Sequence, residues 1–162
     1  MENIKKDDFP KLIFCIIACQ GAGLLGSIFT NMSVSTWYPT LTKPWFTPPG
    51  GVIPAVWILL FTLMGLSLFL VWREGSARRE ARVAIYVFAA QLGVNILWSA
   101  AFFGIKSPLA GLIVIVLLWI MILLTIIKFS RISREASILL VPYIVWVSFA
   151  AYLNYTILRL NP

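Results

Sequence analysis

The chain has no histidine, two cysteines and six acidic residues among its 162 positions. Without histidine the usual metal ligand, proton shuttle and haem axial ligand are missing. Neither a Ser-His-Asp nor a Cys-His arrangement can be assembled, which excludes a conventional hydrolase. No metal centre and no resident cofactor is expected. Cys15 and Cys19 stand one helical turn apart with no third cysteine to pair with, and they read as small buried hydrophobes. Charge is absent from whole regions as well. Every Asp, Glu, Lys and Arg lies at a terminus or in a short cluster, and no carboxylate falls in the long apolar stretches between. Ion-coupled pumps and exchangers place an ionisable residue at depth, so that class is disfavoured.

What remains is strongly apolar: 60% of the residues are hydrophobic and the mean hydropathy is +0.93. A soluble domain is about half apolar, so the excess points to a bilayer. Five uncharged stretches are each long enough to cross about 30 Å of hydrocarbon. They cover residues 12–29, 52–72, 83–103, 109–127 and 136–158. Hydrocarbon leaves backbone groups no partner but their own helix, so each is expected to be helical. The fold class is therefore an all-α integral membrane protein, a five-transmembrane-helix bundle forming a single domain over residues 1–162. Ile16-Ile17-Ala18-Cys19 looks like a bacterial lipoprotein processing site, and the lysines before it suit a signal peptide. The apolar run before Cys19 is short and continues to Phe29, which favours a true span.

Basic residues give the orientation. Lys5, Lys6 and Lys11, then Arg73, Arg78, Arg79 and Arg82, then Lys128, Arg131 and Arg134 share one side, against Lys43, Lys106 and Arg159 on the other. The positive-inside rule puts the N-terminus in the cytoplasm and the C-terminus outside. The net charge of +7 follows from the same rule, so nucleic acid is not an expected partner, whereas the bilayer with its anionic lipids is.

The external side carries the most unusual segment, W-Y-P-T-L-T-K-P-W-F-T-P-P from Trp37 to Pro49. Its four prolines restrict the backbone and hold the aromatic rings up as a stiff surface, which suggests a flat apolar ligand. Polar and aromatic residues inside the spans fall in stripes: Gln91, Asn95 and Trp98; Pro142, Trp146, Ala150 and Asn154; Pro54, Trp57 and Phe61 above Gly65; and Gln20, Gly23 and Ser27. Gln91 and Asn95 suit ligand contact and interhelical hydrogen bonding equally. Trp57 and Trp146 favour a pocket, because an indole N–H at depth needs a partner. Small residues at Ala18, Ala22 and Gly26, and at Ala89 and Gly93, allow close helix approach within the bundle or between subunits.

Four ordered motifs carry a resemblance. They are W-Y-x-x-L-x-K-P with its following aromatic-x-P-P, P-x-x-W (Pro54, Trp57), F-x-x-Q-L-x-x-N-x-x-W (Phe88 to Trp98) and P-Y-x-x-W-x-x-x-A-x-x-L-N (Pro142 to Asn154). On these the chain resembles the TspO/MBR family of translocator and tryptophan-rich sensory proteins, also called peripheral benzodiazepine receptors. The resemblance implies a five-helix homodimer that binds porphyrins such as protoporphyrin IX for sensing, sequestration or transport. It also implies synthetic isoquinoline and benzodiazepine-type ligands and, in animals, cholesterol. The implied pocket lies under the first loop and is lined by Trp37, Tyr38, Trp57, Asn95, Trp98, Pro142, Trp146, Ala150 and Asn154. A bacterial cell membrane is the expected location.

One alternative implied by the resemblance is an enzyme that breaks down porphyrin in light, with Trp57 and Trp146 as the catalytic pair. A second is sterol or lipid binding and translocation through Leu153, Tyr155 and Arg159, a loose pattern that apolar helices ending in arginine match by accident. On physical grounds, aromatic faces stack on a macrocycle, and Lys43 and the Trp45 indole N–H would meet a propionate. A metal-free tetrapyrrole suits a chain without histidine better than an iron porphyrin.

Overall fold

Backbone that must satisfy itself without water forms helices wherever the chain is continuously apolar. The computed structural model describes residues 8–75 and 78–162, and Lys5 and Lys6 of the first basic cluster lie outside them. Its helices are α1 (Phe9–Asn31), α2 (Val52–Arg73), α3 (Arg79–Ser99), α4 (Pro108–Ser130), α5 (Arg134–Leu139) and α6 (Val141–Leu160). No strand occurs among the described residues. Five spans are long and apolar enough to cross a membrane, with α5 and α6 together forming the fifth. The protein is thus an all-α, multi-pass integral membrane protein, the class expected from hydropathy.

Local chemistry explains where these helices begin and end. Ser107 caps α4 by accepting the Ala110 N–H at 3.2 Å, and Ser133 caps α5 by accepting the Ala136 N–H at 3.3 Å. The fifth span was expected as one helix over residues 136–158, but the chain turns at Leu140 between α5 and α6. Pro142 has no N–H to give and its ring would crowd the carbonyl four residues back, so the helix restarts with proline in its first turn. The third span ends in a single π-helical turn, Ala100–Gly104, in which the Ile105 N–H reaches the Ala100 carbonyl at 2.8 Å.

The helices close into a ring in the order α1, α2, α5 with α6, α4, α3. Backbones approach closely where α2 meets α1: a Cβ on Gly65 would stand 2.7 Å from the Ile16 Cα. Cys15, Cys19, Ala22 and Gly26 form the inward stripe of α1, while Ala18 of the expected small-residue repeat is exposed. Ala89 and Gly93 also face outward, with nothing near Gly93. The half of the interior nearer the basic helix ends is filled by Met64, Phe88, Leu118, Ile122, Phe129 and Tyr143, with Phe88 and Phe129 stacked at 5.6 Å. The other half is hollow.

Because Gly65 faces backbone that cannot move aside, Gly65→Ala should overpack the α1–α2 contact by about 1–3 kcal/mol. A drop of several degrees in the thermal unfolding midpoint in detergent is the expected result, with Gly93→Ala unchanged.

Candidate functional site

The hollow half is roofed by the segment between α1 and α2, whose shape is set by internal bonds. A short 3-10 turn (Tyr38–Thr40) begins it. The Lys43 ammonium folds back to donate to the carbonyls of Tyr38 at 2.8 Å, Leu41 at 3.0 Å and Pro39 at 3.5 Å, and lies 4.8 Å from the centre of the Tyr38 ring. Its donors are therefore committed to the loop, not held out for a ligand carboxylate as expected. Trp45, the other expected carboxylate partner, is 95% exposed. Burial pushes the Tyr38 phenol above its ordinary pKa, so it stays neutral under the roof.

The roof is pinned to both neighbouring helix ends. Asn161 grips Thr42 as a strand neighbour would. The Thr42 N–H donates to its Oδ1 at 2.9 Å, and its Nδ2 donates to the Thr42 carbonyl at 2.9 Å and the Ile157 carbonyl at 2.8 Å. Phe46 stacks on Tyr152 of α6 at 5.5 Å. On the other side the Ser33 hydroxyl donates to the Phe103 carbonyl at 2.8 Å, and Trp37 and Tyr38 pack on Phe102 at 5.6 and 6.2 Å.

Below this roof lies a cavity of about 430 Å³, walled by α1, α2, the end of α3 with its π-helical turn, and α6. Pockets for small molecules run from about 300 to 1,000 Å³. Three tryptophans from three helices form its aromatic wall: Trp57, Trp98 and Trp146. Trp57 lies 6.3 Å from Trp98 and 5.6 Å from Phe61, and Trp146 lies 5.5 Å from Phe149. Leu24 and Ile58 belong to the wall and yet are 69% and 61% exposed, so the cavity opens sideways between α1 and α2. At that opening the Gln20 amide donates to the Ile58 carbonyl and the Thr62 hydroxyl, both at 3.0 Å.

Amides tie the walls together. Asn95 Nδ2 donates to the Tyr143 hydroxyl at 2.8 Å, and that hydroxyl donates to Gln91 Oε1 at 3.0 Å, which joins α3 to α6. The Trp98 indole donates to Asn154 Oδ1 at 3.4 Å, and Asn154 Nδ2 donates to the Pro108 carbonyl at 2.8 Å. Gln91 and Asn95, for which sequence left two roles open, are thus both engaged in interhelical bonding, and Asn95 also reaches the cavity. Among the described residues, two buried side-chain donors have no partner: Gln91 Nε2 and the Trp146 indole Nε1.

Of the nine residues expected to line the pocket, Tyr38, Trp57, Asn95, Trp98, Trp146, Ala150 and Asn154 meet on this wall. Trp37 and Pro142 do not. Trp37 packs edge-on against Phe102 without lining the cavity, which its neighbour Tyr38 does. Pro142 is exposed at the start of α6. Steps of four residues drift by about 40° each on a helix, so a stripe drawn back from Asn154 has left the inner face by Pro142. The inner stripe of α6 runs through Tyr143, Val147, Asn154 and Ile157 instead. The three residues of the sterol pattern do not converge: Leu153 lines the cavity, but Tyr155 and Arg159 are exposed on another face. Sequence reasoning gave no role to Tyr143 or Asn161. Tyr143 had a signal in its seven- and eleven-residue spacing to Ala150 and Asn154, whereas nothing near Asn161 pointed to Thr42.

These features define a polytopic α-helical membrane protein built around an aromatic-walled cavity. Comparison with known proteins narrows the class. Residues 15–160 match the model of the TspO/MBR family, and the chain belongs to that family. It is 52% identical to tryptophan-rich protein TspO of Chlorobaculum tepidum over 93% of this chain and 96% of that one. It is 36% identical to protein CrtK of Rhodobacter capsulatus over 90% of this chain and 89% of the other. With the translocator protein of Bos taurus the identity is 33%, over 90% of this chain and 86% of that protein.

Removing the Asn161 side chain should free the middle of the roof while leaving the bundle intact. Asn161→Ala is expected to raise the hydrogen-exchange rate of the Thr42 amide about tenfold, the kinetic equivalent of losing about 1.4 kcal/mol of protection. Amides in the middle of α4 serve as the unchanged internal reference.

Proposed function

We propose that the cavity binds a flat, largely apolar aromatic ligand of the porphyrin class, with metal-free protoporphyrin IX as the working example. The observation that carries this reading is the wall itself. Three tryptophans line one space, and macrocycle stacking contributes about 0.5–1.5 kcal/mol per aromatic pair beyond area burial. The unpartnered Trp146 indole N–H adds a donor that a ligand acceptor would satisfy, removing a desolvation cost of about 1–3 kcal/mol. The side opening between α1 and α2 suits a ligand that arrives dissolved in the bilayer.

Relatives named as a translocator protein and a tryptophan-rich sensory protein support a role in sensing, sequestering or moving that ligand. We place the protein in a bacterial cell membrane as a homodimer, N-terminus cytoplasmic and C-terminus outside. The relative from Chlorobaculum tepidum and the gathering of basic residues at one end support that placement.

A dark titration with protoporphyrin IX, followed by tryptophan fluorescence on the detergent-purified protein, tests the binding. Saturable micromolar quenching is expected in the wild type. Loss of two stacking partners in Trp57→Ala/Trp146→Ala should weaken it by about 5- to 100-fold. Equal and non-saturating quenching in both proteins would mean that porphyrin merely partitions into the micelle, and the reading would fail.

A further inference from the structure

The opposite end of the bundle carries a second, smaller concavity with different chemistry. It measures about 220 Å³ and is formed where the start of α3 meets the end of α4 and the turn after it. Arg79, Lys128 and Arg131 stand around it, Val83 and Ile132 form its apolar part, and Glu80 is the one carboxylate on its wall. Among the described residues none of these three cations has an ion pair, and none is among the side-chain hydrogen bonds. Like charges held together beside apolar surface repel one another, and a bound anion relieves that repulsion.

One further feature favours an anion, and one opposing feature is outweighed. Helix α3 begins after Arg78 with no side-chain cap, so the N–H groups of its first turn face this end of the bundle without an internal acceptor. The carbonyl end of α4 carries the opposite partial charge, about half an elementary charge, which Lys128 and Arg131 outweigh.

The apolar surroundings decide between a free anion and a tethered one. On α3, Arg79, Val83 and Tyr86 follow at helical spacing along one face, and Val83 and Tyr86 are exposed. On α4, Leu124 lies one turn from Lys128 toward the middle of the membrane and is exposed too. An apolar track thus leads from the basic cleft along the lipid-facing side of both helices. Basic pockets between transmembrane helices at a membrane edge are suited to anionic lipid headgroups.

We infer that this cleft binds the phosphate-bearing headgroup of an anionic membrane lipid, with its acyl chain along the α3–α4 face. The shared chemistry is a phosphate ester held by Arg79, Lys128 and Arg131. The site is separate from the aromatic cavity, and its test does not depend on any porphyrin.

The full chain, purified in a neutral detergent, is titrated with short-chain phosphatidylglycerol, and bound lipid is counted by native mass spectrometry. Phosphatidylcholine and inorganic phosphate are run alongside. Phosphatidylglycerol is expected to saturate one site per chain, with phosphatidylcholine not retained and inorganic phosphate a poor competitor. Lys128→Gln/Arg131→Gln should weaken phosphatidylglycerol by about tenfold or more, whereas Lys11→Gln/Arg73→Gln, with the same loss of charge elsewhere, should change it less than about threefold. Glu80→Gln removes the repelling carboxylate and should tighten binding, which reads the site even where the double variant folds poorly. Equal weakening by both double variants, equal retention of phosphatidylcholine, or displacement by an equal concentration of inorganic phosphate would each overturn the assignment.

Discussion

Hydrocarbon offers a polar group nothing to bond with, and the rest of this molecule can be understood as a response to that condition. The backbone answers by coiling into helices. Many amides and hydroxyls in the spans turn toward another protein group. Gln20 reaches α2, Asn95 and Gln91 meet on Tyr143, Asn154 spans from α6 to α4, and Ser67 on α2 donates to the Ala136 carbonyl of α5 at 2.7 Å. Apolar side chains are free to face outward, as Ile17, Leu25 and Leu97 do. Hydrogen bonds and close glycine contacts, rather than hydrophobic exclusion, therefore choose which helices are neighbours.

Interior packing follows from shape once the ring is closed. Toward the basic ends, Met64, Leu118, Ile122 and the stacked Phe88–Phe129 pair fill the space. Toward the loop, flat indole rings meet at centroid distances near 6 Å and leave a gap that no neighbouring side chain enters. The roof does not need to fall into that gap to be stable. Prolines stiffen it, Lys43 holds its turn, and Asn161 pins its middle to the end of α6. A cavity maintained by bonds outside it is preorganised, so little ordering is required of it when a ligand enters. The bundle thus has two chemically distinct ends: an aromatic cavity open to the side, and a basic cleft at the lipid boundary.

Much of this was legible in residue order. Span number, helix type and the aromatic character of the loop depend on local properties: run length, missing charge and proline content. Six of the seven expected residues that meet on the wall lie on helices, whose inner faces repeat at a fixed angle; Tyr38 lies in the loop. Pro142 lies off the wall because a four-residue step drifts around the helix, and Trp37 because the turn that begins the loop brings Tyr38, the next residue, to the cavity. The three residues of the sterol pattern lie apart for a similar reason: a match along the chain says nothing about a shared face.

Sequence alone determined that five helices cross a membrane, that their ends differ in charge, and that aromatic residues gather at one of them. Each of those depends on how a short segment partitions between water and lipid. Tertiary structure decided which donors remain unpartnered, where the wall opens, and that Lys43 serves the loop instead of a ligand. It also joined Asn161 to Thr42 across 119 positions and brought Lys128 and Arg131 beside Arg79. Those outcomes depend on distances between segments far apart in the chain, and only the closed ring of helices sets such distances.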